Sequence, residues 1–534
     1  MPWHFLFFFS LYAELRHEGG FQVSTLSMCK QSVKITPDEG DYFKWCQTAK
    51  IVPVSCEIDA DTETPISLFN KFSTKNYCFL FESVEGGERW ARYSIMGRNP
   101  LWTMQVEGGN TFIEEMGKKE VSRQNPIKLL DTMLEEFKGE AFSHLPRFYS
   151  GFVGYFGYDM VSYYEKISKQ NQDEIGMPDA HLFIPEEVIV YDHFKQKMHI
   201  IINTFVPKSD TSEKKISIQR GYQKATEQLQ NLREEILYPN GLRLREQDLE
   251  DASNKEKVGP FSGNFSKKQF CSAVDKAKKH IKDGDIFQVV LSQRLSAPFT
   301  GSPYQVYRKL RKVNPSPYMY YIVFDNATVV GASPEMLVRL QNDRVETCPI
   351  AGTRKRGLTE QEELSLVNEL KEDEKECAEH MMLVDLGRND VGKVSSFGSV
   401  EVKNLMHIEK FSHVMHMVTN VEGTLKTDST PLDVLTAVLP AGTVSGAPKI
   451  RAMQIIEELE PVKRGVYAGA IGYIGFDGNM DTCIAIRTAV FKNGYAYVQA
   501  GAGIVADSVP ENEYIETLNK AQGMINAIEK AGEL

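Results

Sequence analysis

Two periods run through this chain. Apolar residues recur at helical spacing in Ser212–Leu237, in Lys267–Lys282, roughly over Glu360–Leu386, from near Pro448, and in the carboxyl-terminal run that contains Glu513–Lys520. Runs of β-branched and aromatic residues bounded by turn residues predict strands instead. These fall at Asn76–Glu82, Arg92–Met96 and Phe148–Tyr158, with two more inside Glu186–Thr204 and another at Asp285–Leu295. Further strands are expected at Tyr318–Phe324, Ala327–Gly331, Leu337–Val345, Ser399–Asn404, Phe411–Glu422, Ala468–Phe476, Cys483–Phe491 and Tyr495–Ala500. Several are joined by short turns, which favours antiparallel pairing over βαβ winding. The expected class is therefore α+β: a two-lobed body with antiparallel β-sheets packed together and flanked by helices. Polar, weakly periodic sequence at 240–263 is the expected linker, between an amino-terminal lobe (28–239) and a carboxyl-terminal domain (264–534).

At 534 residues two or three units are the prior, and the composition is that of an ordinary globular protein. A net charge of −11 with no compensating Lys/Arg cluster argues against nucleic acid as a partner. The eight cysteines are scattered without a C-x-x-C pair, which suits a reducing, cytoplasmic compartment. Phe5–Phe9 is apolar but too short to span a bilayer and lacks a basic flank, so no signal peptide or membrane segment is expected. Residues 1–27 read as an extension ahead of Met28, outside the fold.

Charge placement changes the picture more. On a helix, Glu513, Glu516 and Lys520 lie along one stripe, with Ile515, Leu518, Ala521, Met524 and Ile528 filling the adjacent arc. Alone, this is an ordinary Glu516–Lys520 ion pair on a solvated face. A second acidic pair, Glu376 and Glu379, shares a helical face with Leu383 and Leu386. Two helices that each offer an i,i+3 carboxylate pair can enclose a hard divalent cation. Oxygen-only ligands favour magnesium or calcium over zinc, and magnesium would leave positions for an anionic substrate.

Other stretches are weaker. Gln499–Ala506 contains G-x-G-x-x-A, but Asp507–Pro510 intervenes before the next helix, so it is not a dinucleotide fingerprint. It is a glycine loop whose N–H groups could hold a carboxylate. Gly442–Lys449 leads into a helix with Pro448 in its first turn; a capped helix start and an anion site are both open. Strand alternation sends His413 and His416 to opposite faces, which defeats a two-histidine metal site. Gly331–Glu335 and Glu346–Arg354 read as strand-to-turn corners, the second offering Thr353 and Arg354 to an acidic ligand.

Taken in order, Pro349-Ile-Ala-Gly-Thr353, Asp373–His380, Asp385-Leu-Gly-Arg-Asn-Asp390, His413-Val-Met-His416, Gly442–Lys449, Gln499–Gly503 and the Glu513–Lys520 helix resemble the chorismate-utilising enzymes. The resemblance extends from about Tyr42 onward and is strongest after Asn264. It implies magnesium held by Glu379 and Glu516, with Glu376 and Glu513 close by, facing the ring carboxylate of chorismate. It implies substrate contacts from Gly352, Thr353, Tyr467, Arg487, Gly501, Ala502 and Gly503, and catalytic roles for His416, Thr443 and Lys520.

Within the family the pattern lies nearest the anthranilate-forming lyases, which add ammonia to chorismate and release pyruvate at the entry to tryptophan biosynthesis. Gln288 stands where the water-activating relatives carry a lysine base, and Ala351 where one aminodeoxychorismate-forming subgroup carries another. Lys355 departs from the proline of many relatives and reads as tolerated. Leu80-Phe-Glu-Ser83 resembles the family's tryptophan-feedback motif. With it go Glu82, Ser83, Pro317, Tyr318, Met319 and Cys483 as a tryptophan site, and a regulatory role for the amino-terminal lobe. None of Cys348, Cys377 or Cys483 sits in a Gly-x-Cys-x-Gly turn, so ammonia is expected from a separate glutamine amidotransferase subunit, in a heterotetramer. The alternatives are an aminodeoxychorismate-forming subunit and a catalytically silent tryptophan-binding regulator.

Overall fold

The computed structural model describes residues 34–84, 92–139, 142, 144–168, 171–206, 212–237, 258–410 and 414–531. The expected extension at 1–27, most of the expected linker and His413 lie outside them. The strands that build the functional regions are, in chain order, β1 (Cys78–Glu82), β2 (Tyr93–Glu107), β3 (Gly151–Phe156), β4 (Ala180–Asp192), β5 (Gln288–Pro298), β6 (Tyr318–Val323), β7 (Ala327–Ser333) and β8 (Met336–Gln341). They continue as β9 (Arg344–Thr347), β10 (Ile350–Lys355), β11 (Glu401–Lys410), β12 (Val414–Thr424), β13 (Ala470–Gly475), β14 (Met480–Ile484), β15 (Thr488–Lys492) and β16 (Tyr495–Ile504). The principal helices are α1 (Ser212–Leu237), α2 (Lys267–Lys282), α3 (Pro303–Val313), α4 (Glu360–Glu372), α5 (Glu374–Val394), α6 (Lys449–Leu459) and α7 (Pro510–Glu529).

Two antiparallel arms leave β4. One runs β4–β2–β1–β6–β7–β15–β16–β5. The other runs β4–β3–β13–β14–β8–β9–β12, where β12 then pairs with both β10 and β11. Strands from both sides of the expected linker pair directly, Met319 with Glu82 and Gly472 with Gly154, and residues 35–534 form one compact unit.

The arms bury their apolar faces against each other. Phe79, Tyr320, Val329 and Val490 of the first meet Val153, Tyr155, Ile471 and Cys483 of the second. A larger cluster joins Val289, Leu291 and Ala502 to Leu337, Val338 and Val421, with Phe270, Val384 and Met453 packed in from helices. Helix α2 shows why helices cover this sheet. Ser266 and Gln269 form a reciprocal capping box, and Phe270, Ala273, Val274 and Ala277 supply one buried stripe. Burying Phe270 alone contributes on the order of 2 kcal/mol.

Several expected elements are corrected. Leu337–Val345 is a hairpin rather than one strand, because Asn342 and Asp343 both take positive φ (49° and 64°). Cys483–Phe491 breaks at Arg487, whose φ is 51°. Phe148–Tyr158 shortens to β3 and a 3₁₀ turn. Gly501–Gly503 is not a loop but lies inside β16. On α7 the buried face is Thr517, Ala521, Met524 and Ile528, whereas Ile515, nearly opposite on the helix, is 47 % exposed.

Candidate active site

Helices α5 and α7 bring the two acidic pairs together. Asp373 ends α4 and caps α5, accepting from the N–H groups of Lys375 and Glu376 at 3.1 Å each, so Glu376 and Glu379 fall in the first turns of α5. Each pair feels the other helix: Lys520 acts on Glu379 and Lys375 on Glu513. Burial pushes the Glu379 carboxyl above its ordinary range, and the charge of Glu376 adds to the rise. Burial also raises Glu513, against a hydrogen bond with Ser508 and reinforced by Glu516.

The other three carboxylates are also turned to protein partners. Lys520 Nζ lies 2.6 Å from Glu516 Oε1, Arg354 Nη1 3.4 Å from Glu376 Oε1, and Gln288 Nε2 3.4 Å from Glu379 Oε1. Among the described residues no three His, Cys, Asp or Glu side chains form a group that could hold a metal ion. The donor set still suits a hard dication in its chemistry. It is oxygen-only, crowded with like charge, and lies beside a buried Gln288 Oε1 that has no hydrogen-bond partner.

Across from the acids, the β10–β12 ladder sets Thr353 opposite His416, with a register slip at Gly352. His416 Nδ1 lies 3.2 Å from the Gly352 carbonyl and 3.0 Å from Thr353 Oγ1. A carbonyl only accepts, so Nδ1 carries the proton and Nε2 is the basic nitrogen. Burial lowers the His416 pKa, against the Gly352 hydrogen bond, so the ring is neutral at pH 7.

Ladder pairs between β15 and β16 stop at Ala489 and Val498, so beyond Val498 the second edge of β16 lies past that ladder. Gly501 turns its carbonyl to Lys520 Nζ at 3.1 Å on that edge. A Cβ at Gly501 would lie 2.7 Å from Tyr467 Oη, and one at Gly503 2.7 Å from Gln288 Nε2, so only glycine admits both side chains. Arg487, at the break between β14 and β15, donates to the Lys520 carbonyl at 2.9 Å. Tyr467 is buried beside Arg464, whose guanidinium lies 5.5 Å from its ring, and burial pushes its phenol up to about 12.

One functional side chain was missed by the sequence pattern. Thr443 Oγ1 donates to Glu335 Oε1 at 3.0 Å. Burial pushes the Glu335 carboxyl up to about 8, against that hydrogen bond and the charge of Lys520. At neutral pH it is a carboxylic acid, a proton donor close to a cationic lysine. The other end of the Gly442–Lys449 stretch is a structural pair: Lys449 Nζ lies 2.6 Å from Asp390 Oδ2.

Residues 76–526 match the family model for chorismate binding enzymes. The chain belongs to that family. This chorismate-binding enzyme is 53% identical over 485 residues to anthranilate synthase component 1 of Acetivibrio thermocellus, covering 91% of this chain and 96% of the relative. It is 46% identical to the protein of the same name from Aquifex aeolicus, over 92% and 97% of the two chains. It superposes on the crystal structure of anthranilate synthase component I from Streptococcus pneumoniae with a TM-score of 0.70 at 41% identity, over 88% and 98% of the two chains. The menaquinone-specific isochorismate synthase of Escherichia coli shares the fold, with a TM-score of 0.67 at 18% identity.

The enzyme also holds a cavity of about 230 Å³ between the arms. Glu82, Ser83, Pro317, Tyr318, Met319 and Cys483 all line it. The carboxylate of Glu82 is engaged by Tyr307 and by Arg311 Nε at 3.2 Å. Among the described residues no helix is long and apolar enough to cross a membrane.

Proposed function

We propose that this chorismate-binding enzyme is an anthranilate synthase, a cytoplasmic lyase that converts chorismate and ammonia to anthranilate, pyruvate and water. The observation that carries this reading is the 53% identity to anthranilate synthase component 1 across 91% of the chain. The site chemistry supports it. Glu335, protonated at neutral pH and held by Thr443, gives its proton to the departing C4 hydroxyl. Gln288 cannot accept a proton as a lysine base would, so water is not activated there; its unpartnered Oε1 suits an N–H of incoming ammonia at C2. His416, neutral with Nε2 basic, takes the C2 proton as pyruvate leaves and the ring becomes aromatic. An acid held high and a base held low divide the two proton transfers between two residues.

Arg487, Tyr467, Thr353 and the β16 edge at Gly501–Gly503 orient the carboxylates of chorismate, and Lys520 adds positive charge beside them. Magnesium bound by Glu379 and Glu516, with Glu376 and Glu513 nearby, would supply a hard positive charge for the ring carboxylate. Tryptophan in the 230 Å³ cavity inhibits the reaction, and an amidotransferase subunit delivers ammonia from glutamine in a heterotetramer.

Purified chain with chorismate, magnesium and ammonium at mildly alkaline pH tests this. Blue anthranilate fluorescence that disappears with a chelator and falls with tryptophan is the expected result. Chorismate consumed without pyruvate would point to aminodeoxychorismate formation and overturn the reading. No consumption at all would leave a silent regulator.

A further inference from the structure

The 230 Å³ cavity and the candidate active site are separated by one short corner of chain, Ala332-Ser333-Pro334-Glu335. We propose that Ser333 is the positioning residue through which occupancy of that cavity sets Glu335 and Arg487. This rests on the reading of the cavity as regulatory and of Glu335 as the acid.

Ser333 ends β7, is fully buried, and lines neither the cavity nor the pocket around Glu335. On one side it meets the cavity wall. It stands opposite Tyr318 in the β6–β7 ladder and hydrogen-bonds the Cys483 thiol, and both of those residues line the cavity. On the other side its hydroxyl closes onto Glu335. Glu335 N–H donates to Ser333 Oγ at 3.3 Å, and Ser333 Oγ donates to the Glu335 carbonyl at 3.3 Å. A hydroxyl has one proton, and the Ser333 bond holds the Cys483 pKa down against burial, so the sulfur and the Glu335 carbonyl compete for that proton. Moving the thiol or Tyr318 therefore shifts the Ser333 proton between its two acceptors and changes its hold on Glu335.

Two backbone bonds make the corner common to both catalytic regions. Ile484, next to Cys483, donates its N–H to the Glu335 carbonyl at 3.1 Å, and Ala332 donates to the Arg487 carbonyl at 3.2 Å. Pro334 fixes its own φ between Ser333 and Glu335, so a displacement of Ser333 passes on rather than being absorbed. Glu335 then changes its approach to Thr443, whose hydroxyl it accepts at 3.0 Å. The other charged or titratable groups facing it are Lys520 of α7, Cys348, and Asp390 of α5 with its partner Lys449.

The test is Ser333→Ala in the full chain, read three ways: tryptophan affinity by calorimetry, tryptophan inhibition of ammonia-dependent anthranilate formation, and the pH profile of kcat. The wild-type chain is measured alongside. The expected result is tryptophan affinity within about threefold of wild type, inhibition weakened by about tenfold or more, and an alkaline limb displaced by roughly half a pH unit. Ser333→Cys, which keeps a small donor at nearly the same volume, restores part of both effects and guards against misfolding of the alanine variant. A slower Ser333→Ala enzyme with unchanged inhibition and an unmoved limb would mark a merely structural residue and overturn the proposal alone. A wild-type chain that makes anthranilate yet binds no tryptophan would overturn it together with the regulatory reading.

Discussion

Replacing Glu335 by glutamine separates its chemical role from its electrostatic cost. The isostere keeps an acceptor for Thr443 but has no proton to give, so kcat should fall by about 10²–10⁴ with chorismate binding largely retained. Stability should move the other way. Below the ordinary carboxyl pKa of 4.5 both folded and unfolded chains are protonated at this residue, and nothing differs. Between 4.5 and about 8 the unfolded chain ionises while the folded one does not, so wild-type stability falls with rising pH; above about 8 the loss is complete. That rise corresponds to about 5 kcal/mol at ~1.4 kcal/mol per unit, and the residue's partial exposure reduces it to roughly 2–3 kcal/mol. Glutamine removes the whole trend. Denaturant unfolding of the metal-free proteins from about pH 5 to about pH 9 should show the variant gaining that much over wild type. A constant stability difference across this range, or a kcat within tenfold of wild type, would refute the assignment of Glu335 as a protonated acid.

Other expectations follow from the same geometry. Gly501→Ala places a methyl 2.7 Å from Tyr467 Oη and 3.0 Å from the Leu291 carbonyl, so KM for chorismate should rise about tenfold or more, with about 1–3 kcal/mol of destabilisation by thermal unfolding. Burial and neighbouring carboxylates raise Glu379 and Glu513, so magnesium affinity, titrated calorimetrically, should weaken as pH drops and protons compete for the oxygens. Glu379→Gln should flatten that dependence. Arg487→Lys loses the planar fork and should cost about 2–4 kcal/mol in kcat/KM for chorismate, mostly through KM.

Much of this was legible because it is local. The α1 and α2 boundaries agree with the hydrophobic period, and Ser266–Gln269 marks the start of α2 in the sequence itself. The four acids could be paired in advance because i,i+3 spacing fixes their common face. The six residues of the feedback motif and its companions line one cavity. Four of the helices that were not anticipated each open with a polar residue followed by proline: Thr64-Pro65, Asn125-Pro126, Ser302-Pro303 and Thr430-Pro431. That signature was present and outweighed by their short apolar periods. The break at Arg487 was not readable, because a positive φ at arginine is imposed by tertiary packing rather than residue type. Glu335 is the same lesson for the site. Its raised pKa comes from burial, against the hydrogen bond from Thr443, 108 residues away, and no local spacing announces either. Ile515 failed for the opposite reason: it is apolar, but α7 buries Thr517 in its place, where the hydroxyl receives Gln293 Nε2 at 2.6 Å.

Product analysis with chorismate, magnesium and heavy-nitrogen ammonium as the sole nitrogen source tests the anthranilate-forming reaction most directly. The expected product is anthranilate carrying one heavy nitrogen, with one pyruvate released for each chorismate consumed. An aminated product that keeps its enolpyruvyl group, or a hydroxylated product with no nitrogen incorporated, would contradict it.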